Sequence, residues 1–345
     1  MSMPTTSLLR RLTSPMSRRT GLAVIGVISA GITSPTVTTA KKRKKHKKRH
    51  HGPITVCAVG CDYTELNDAA LAARPGSRIC LKSGTYDGNV LITKSLTIKP
   101  CTAEDVVTIQ PDGSNRAFDI QELTDTDTLK IRGFSAETFI INGAVAAASD
   151  GGVIRLGYDS TPVAGNLDLR NVTLRNGASL GWGGGIGAYT TGNVRLKHVV
   201  IRSCNANTSG GGIEMRYGTL QLEGTTSVSF CNAEQGAGVT LRSGASMTMS
   251  GTSVIGGTSL GDKNDAYLYD GGGVFVASGC TLTMNDNAMV AYNKAQGSGG
   301  GIYAEATATL AGNASCSAQN VVGNELYQNS TGAGPQIYQV SGSSC

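Results

Sequence analysis

From residue 54 onward, apolar and polar positions alternate in short runs separated by glycine and asparagine. Ile213-Glu-Met-Arg-Tyr217 and Val239-Thr-Leu-Arg-Ser243 are two such runs, and Leu220-Gln-Leu222, Met247-Thr-Met249 and Leu282-Thr-Met284 are others. A period of two places the apolar side chains on one face of a strand. The runs are too short and too glycine-rich for paired helices.

A glycine-led phrase recurs between them. It reads Gly183-Gly184-Gly185-Ile186, Gly210-Gly211-Gly212-Ile213, Gly236-Ala237-Gly238-Val239, Gly271-Gly272-Gly273-Val274 and Gly299-Gly300-Gly301-Ile302, with a weaker copy at Gly151-Gly152-Val153-Ile154. The aliphatic residues that close these phrases lie 32, 27, 26, 35 and 28 positions apart. Such a period marks a solenoid whose units stack on their neighbours. Short strands joined by residues that accept left-handed backbone predict an all-β fold, a right-handed parallel β-helix of about ten coils. Ahead of each phrase stands an aliphatic residue and then an asparagine: Val172…Asn176, Ile201…Asn205, Val228…Asn232, Val290…Asn293 and Val321…Asn324. These five asparagines are expected to stack inside as an amide ladder. A helix is predicted over Tyr63–Arg74, with Asp62 and Glu65 as a capping box and Leu66, Ala69, Ala70 and Ala73 on one stripe, covering the N-terminal end of the core.

The Asn-x-Ala…Gly-Gly-x-Ile pattern (Cys231-Asn-Ala233 to Gly238-Val239; Asn293-Lys-Ala295 to Gly301-Ile302) resembles the repeats of chlamydial polymorphic membrane proteins and related bacterial β-helices. The stretch Cys57…Cys61-Asp-Tyr-Thr-Glu-Leu-Asn-Asp-Ala-Ala-Leu-Ala-Ala73, followed by Pro75-Gly76 and Gly84-Thr-Tyr86, is similar to the opening of pectate-lyase-like and CSLREA-type secreted proteins. Together the resemblances cover nearly all of residues 54–345. They imply the fold and leave the chemistry open, because this fold hosts lyases, hydrolases, adhesins and inert scaffolds. The chlamydial proteins end in a membrane barrel, for which the residues after the last repeat offer no counterpart.

Charge divides the chain. Residues 1–40 carry Ser17-Arg18-Arg19-Thr20-Gly21-Leu22 and an apolar run too short for a bilayer span, which predicts a twin-arginine-like export signal, the alternative being an uncleaved membrane anchor. Residues 41–53 hold a basic arm, read as a disordered linker or as an attachment to an anionic surface. Of the 30 lysines and arginines, twelve precede residue 52; the remaining 18 face all 24 acidic residues, so the body from residue 54 is acidic despite a formal total of +6. Nine cysteines in an exported chain predict disulfides. Cys57, Cys61, Cys80 and Cys101 cluster at the start, Cys204 and Cys231 occupy equivalent repeat positions, Cys316 and Cys345 could close the C-terminal end, and Cys280 has no evident partner. Cys204 and Cys231 could equally form a buried ladder of free thiols.

Familiar catalytic sets are not found. His198 is the one histidine after residue 51, and no Gly-x-Ser-x-Gly elbow accompanies it. Asn166-Leu-Asp168 and Arg195-Leu-Lys197 match two of the four polygalacturonase motifs, without Asp-Asp or Gly-His-Gly between them. Asp125 with Asp127, or Asp262 with Asp265, would be at best part of a calcium site, and turn formation explains them equally well. No cofactor, metal site or nucleic-acid partner is expected, and no transmembrane span in the mature chain.

Register supplies one constellation. With Ile186, Ile213, Val239, Val274 and Ile302 inward, the next residue and the one two beyond it must point away from the core. That forms a strip holding Tyr189, Glu214, Arg216, Arg242, Phe275, Tyr303 and Glu305, a candidate surface for an acidic polysaccharide or an anionic cell surface. The favoured reading is an exported, non-enzymatic β-helix acting as surface scaffold, adhesin or glycan-binding module. The alternative is a polysaccharide lyase or glycoside hydrolase acting from the same strip.

Overall fold

The computed structural model describes residues 52–113, 115–143, 149–314, 320–322, 324–326 and 337–340. The predicted export signal, the arm up to His51, Cys316 and Cys345 lie outside them. Every strand pairing is parallel, and each repeat is one coil of a parallel β-helix. A mature coil has four sides. Val239–Arg242, Ser246–Met249, Val254–Gly256 and Asp265–Ala266 form one; Val274–Val276, Thr281–Met284, Met289–Ala291 and Lys294–Ala295 form the next. The four sides are called the first to fourth faces below. The long strands Ile186–Lys197 and Ile213–Glu223 run through both the first and second faces, with a register shift between Thr190 and Asn193 in their pairing, and so join the two faces into one seventeen-stranded sheet. The third face is a nine-stranded sheet and the fourth a six-stranded one.

Register holds from coil to coil. Ile186 pairs with Ile213, Ile213 with Val239, Val239 with Val274 and Val274 with Ile302, and all are fully buried. Leu220, Met247 and Leu282 stack likewise on the second face, and Leu174, Ile201 and Val228 on the third. Burying each such side chain is worth roughly 1.5–3 kcal/mol. The fourth face adds a separate small core of Ala206, Ala233, Ala266 and Ala295, joined by Ala237 of one glycine phrase.

The phrase is glycine for two reasons. Its first residue, as in Gly210 (φ +65°), takes the left-handed turn that returns the chain to the first face. Its second lies against the neighbouring coil, where a Cβ on Gly211 would overlap the carbonyl oxygens of Asn232 and Ala237. Other corners use the same conformation. Asn171, His198, Gly224, Gly251 and Asp286 stack at the corner after the second face, and Asn176, Ser203, Phe230 and Tyr292 at the corner after the third, all with positive φ. His198 is thus a turn residue, one position beyond its strand, and its Nδ1 lies 3.1 Å from Thr225 Oγ1.

The helix covers Leu66–Ala72, shorter than expected, with Leu66, Ala69 and Ala70 buried in the main core. Glu65 occupies its N-cap without a side-chain hydrogen bond. Asp62 is not its capping partner; it accepts instead from the Thr55 amide and hydroxyl, both at 2.9 Å. Cys57–Cys61 and Cys80–Cys101 form disulfides, while Cys204, Cys231 and Cys280 are buried free thiols. Cys204 and Cys231 therefore do not crosslink. Each thiol bonds a carbonyl two residues back in its own coil, Arg202 at 3.3 Å and Ser229 at 3.2 Å, and burial pushes the Cys231 thiol up, with Cys204 adding to the effect.

An interior amide ladder is present at Asn293 and Asn324, as expected, but not at the three earlier asparagines. Asn205 pairs with Asn232, Asn232 with Asp265, Asp265 with Lys294 and Lys294 with Glu325, so the interior position just before them reads Cys204, Cys231, Asn264, Asn293, Asn324. Asn264 Nδ2 donates to Asn293 Oδ1 at 2.9 Å and to the Val228 carbonyl at 2.9 Å; Asn293 Nδ2 donates to Asn324 Oδ1 at 3.0 Å and to the Ile255 carbonyl at 2.9 Å. Asn176, Asn205 and Asn232 are exposed, contrary to expectation. In a strand a slip of one residue exchanges inside for outside. Replacing Asn264 or Asn293 by Leu should cost about 1–3 kcal/mol by stranding buried backbone groups, whereas Asn205→Leu should leave the denaturation midpoint nearly unchanged. Equal midpoints for all three variants would contradict the interior ladder.

Candidate functional site

The predicted strip lies on the first face. One column runs Asp119, Arg155, Gly187, Glu214, Thr240, Phe275, Tyr303, Tyr338, and the column two residues further along holds Tyr189, Arg216 and Arg242. These side chains leave the core, yet much of the strip is enclosed. Tyr189, Glu214 and Thr240 are fully buried and Phe275 is 2% exposed. Cover comes from the residue before the glycine phrase in three successive coils: the Trp182 ring lies against Arg216, Ser209 bonds Glu214 and Gln235 bonds Arg242.

Glu214 is the hub. Its Oε2 accepts from Ser209 Oγ at 2.8 Å, its Oε1 accepts from Arg216 Nε at 3.0 Å, and Arg242 Nε stands 3.5 Å from the same oxygen. Burial pushes this carboxyl up, and the two arginines oppose the shift. Arg216 also donates to Asp159 Oδ1 at 2.6 Å and lies 4.4 Å from the Trp182 ring centroid. Burial acts to lower its pKa, but Glu214 and Asp159 outweigh it and hold the guanidinium above its ordinary value. Arg242 Nη2 donates to Gln235 Oε1 at 2.7 Å and caps the Phe275 ring at 5.1 Å. The Tyr189 hydroxyl is buried and finds no partner among the described residues; burial pushes its pKa far up.

The flat aromatic surface expected for sugar rings is also occupied. Phe275 and Tyr303 stack at 5.2 Å and 11°, and Tyr303 and Tyr338 at 5.3 Å and 12°, so each ring's face meets another ring. Glu305 is drawn aside to accept from the Ser278 amide at 2.8 Å, capping a turn. The structure therefore brings Tyr189, Glu214, Arg216, Arg242 and Phe275 into one network, continues it through Tyr303, and leaves Glu305 out.

Three participants, Trp182, Asp159 and Asp119, were missed in the sequence, while Arg155, outward by the same register one residue after Ile154, was left off the strip. Trp182 and Asp159 lie in loops, outside any strand alternation. Arg155 and Asp119 pair through two bonds, 2.9 and 2.8 Å, with Arg155 against the Tyr158 ring at 3.8 Å. Asp119 sits one coil before Arg155, in a repeat that lacks the glycine phrase, so only counting register back from Ile154 to Phe118 would have placed it.

The remaining candidates are structural. Asp168 takes Arg132 at 2.6 Å and Arg170 at 3.2 Å. Asp262 accepts from the Thr258 hydroxyl at 3.2 Å within its own loop. Asp125 borders an open groove of about 710 Å³ with Tyr158 and Pro162, but the neighbouring Asp127 is taken up by Ser95 Oγ and Thr124 Oγ1, both at 2.7 Å. Among the described residues no group of three or more metal-ligating side chains gathers.

No protein-family model matches the chain, and neither does any curated protein or solved structure.

Two predictions follow from these contacts. Arg216→Met should lose about 3–5 kcal/mol, because it strands a buried carboxylate, and adding Glu214→Gln should recover part of the loss; urea denaturation of both variants measures this, and no recovery would mean that the two do not act as a pair. The Ser95 and Thr124 hydrogen bonds hold the Asp127 carboxyl below the usual range. A depressed folded-state pKa gives stability that is present above the unfolded value and lost as pH falls below about 4. Asp127→Asn should therefore flatten that acid limb of the melting-temperature profile, and an unaltered limb would remove Asp127 from it.

Proposed function

We propose that this chain is an exported, non-enzymatic β-helix that serves as a surface scaffold. The observation that carries the reading is the state of the strip: its carboxylate hub, both arginines and its ring faces are engaged with one another, which suits a brace between coils rather than a site awaiting substrate. The two disulfides in the first coils favour an oxidising compartment. Among the described residues no helix is long and apolar enough to cross a membrane. The predicted export signal and the resemblance to secreted and surface β-helix repeats point the same way.

Of the strip's two carboxylates, on which a lyase or hydrolase acting from it would draw, Glu214 is fully buried behind Arg216 and Ser209, and Glu305 is tied to the Ser278 amide. Incubation with a panel of neutral and uronate polysaccharides, followed by reducing-end and unsaturated-product assays, should show no turnover. Turnover that disappears in Glu214→Gln, with the fold intact, would replace the scaffold reading by the enzymatic one. Fractionation of expressing cells tests the other half: the chain should appear outside the cytoplasm with both disulfides formed, and a reduced cytoplasmic protein would refute export.

A further inference from the structure

The second face carries charge of a different kind. We propose that its outward side, in the first half of the β-helix, is a docking surface for a linear polysaccharide bearing carboxylates, laid along the helix axis. Seven of the 18 cations of the acidic body stand on five successive strands there. Lys99, Arg132, Arg170 and Lys197 form one unbroken column. Arg78, Lys130 and Arg195 stand in the neighbouring column, which Thr97 and Asp168 complete.

Internal pairing does not balance this charge. Asp168 is shared by Arg132 and Arg170, and Glu223, on the next strand, is clasped by Arg195 through two bonds of 2.7 Å. Among the described residues, Arg78, Lys99, Lys130 and Lys197 have no carboxylate within ion-pair distance. Asp105 and Asp127, at the two edges, are tied into turn caps by Thr102 and Ser83 and by Ser95 and Thr124. Asp168, and Glu223 directly opposite Lys197, offset part of the repulsion, but seven cations face two carboxylates, and like charges opposite one another weaken a sheet, so the surplus is a cost that the fold itself does not require.

The shape of the patch selects its partner. Coils repeat at ~4.8 Å, so five strands present charge over roughly 20 Å in a straight line. Guanidinium forks and ammonium groups suit carboxylates, and Thr97, between Arg78 and Lys130, can bond hydroxyls. No aromatic side chain points out from these five strands on this face, so bases would find nothing to stack on. An extended polymer with a carboxylate in step with each coil, or each second coil, matches the surface better than a nucleic acid does.

This inference deepens the surface-scaffold reading by naming a partner, but its test uses purified protein and stands apart from export. The full chain is used, with glutamine replacing the lysines and arginines of residues 41–51, so that the arm cannot bind in place of the face. Polygalacturonate oligomers of increasing length are titrated at low ionic strength. Affinity should rise until the oligomer spans roughly 20 Å and then level off. Lys99→Glu with Lys130→Glu should weaken binding about tenfold or more and reduce its salt sensitivity, while Arg202→Glu with Lys263→Glu, the same change of net charge placed elsewhere, should alter it by less than about twofold. Should the first pair lower the melting temperature, Lys99→Gln with Lys130→Gln takes its place. Equal losses in both pairs would reduce the effect to net charge, and no binding at low ionic strength would end the proposal. Tighter binding of a single-stranded oligonucleotide of equal charge, lost in the same variants, would make the face a nucleic-acid surface instead.

Discussion

The hydrogen bonds between adjacent coils govern everything else in this molecule. They run parallel, one coil to the next, and they fix register so tightly that whatever occupies a position in one repeat lies against its counterpart in the next. A side chain here has few neighbours to choose among. It stacks on its own kind, as Ile213 does on Val239, or it faces a partner that evolved one turn away, as Arg155 faces Asp119. The glycine phrase keeps this register possible, since a Cβ at Gly211 would push neighbouring coils apart.

The same constraint explains why the first face holds a closed network. Rings one coil apart can only stack, so Phe275, Tyr303 and Tyr338 use their faces on each other. A carboxylate with an arginine two residues along and another in the next coil will be clasped by both, as Glu214 is. A residue list that reads as a binding strip can therefore be a brace. On the second face, neighbouring cations cannot satisfy one another, and two carboxylates pair with only three of the seven, so a surplus of charge remains outward.

The coil architecture and the inward columns were legible because strand alternation and the glycine spacing both report register. The strip's membership was legible for the same reason, but its burial was not. Trp182 and Asp159 come from loops, and loop paths follow no period. The amide ladder shows how narrow the margin is. Asn293 and Asn324 stand three residues after a buried aliphatic, and so do Cys204 and Cys231, whereas Asn205 and Asn232 stand four after. Treating three and four as equivalent merged an interior column with an exterior one. Asn264 escaped notice because the inserted loop sets it nine residues beyond Ile255. The basic face was readable in principle, since Lys99, Arg132, Arg170 and Lys197 follow from strand register, but their repeats lie mostly before the clear glycine phrases.

Both disulfides close within the first coils, over 4 and 21 residues, and the helix over Leu66–Ala72 lies at that same end. In a stack held by nearest neighbours, a staple protects only the coils that it joins. The described coils beyond Cys101 contain no crosslink, and their cysteines 204, 231 and 280 are free. Covalent reinforcement among the described coils is thus one-sided: an unfolding front that enters at the first coils meets covalent resistance at once, whereas between Cys101 and Ala314 it meets only hydrogen bonds and packing, one layer after another.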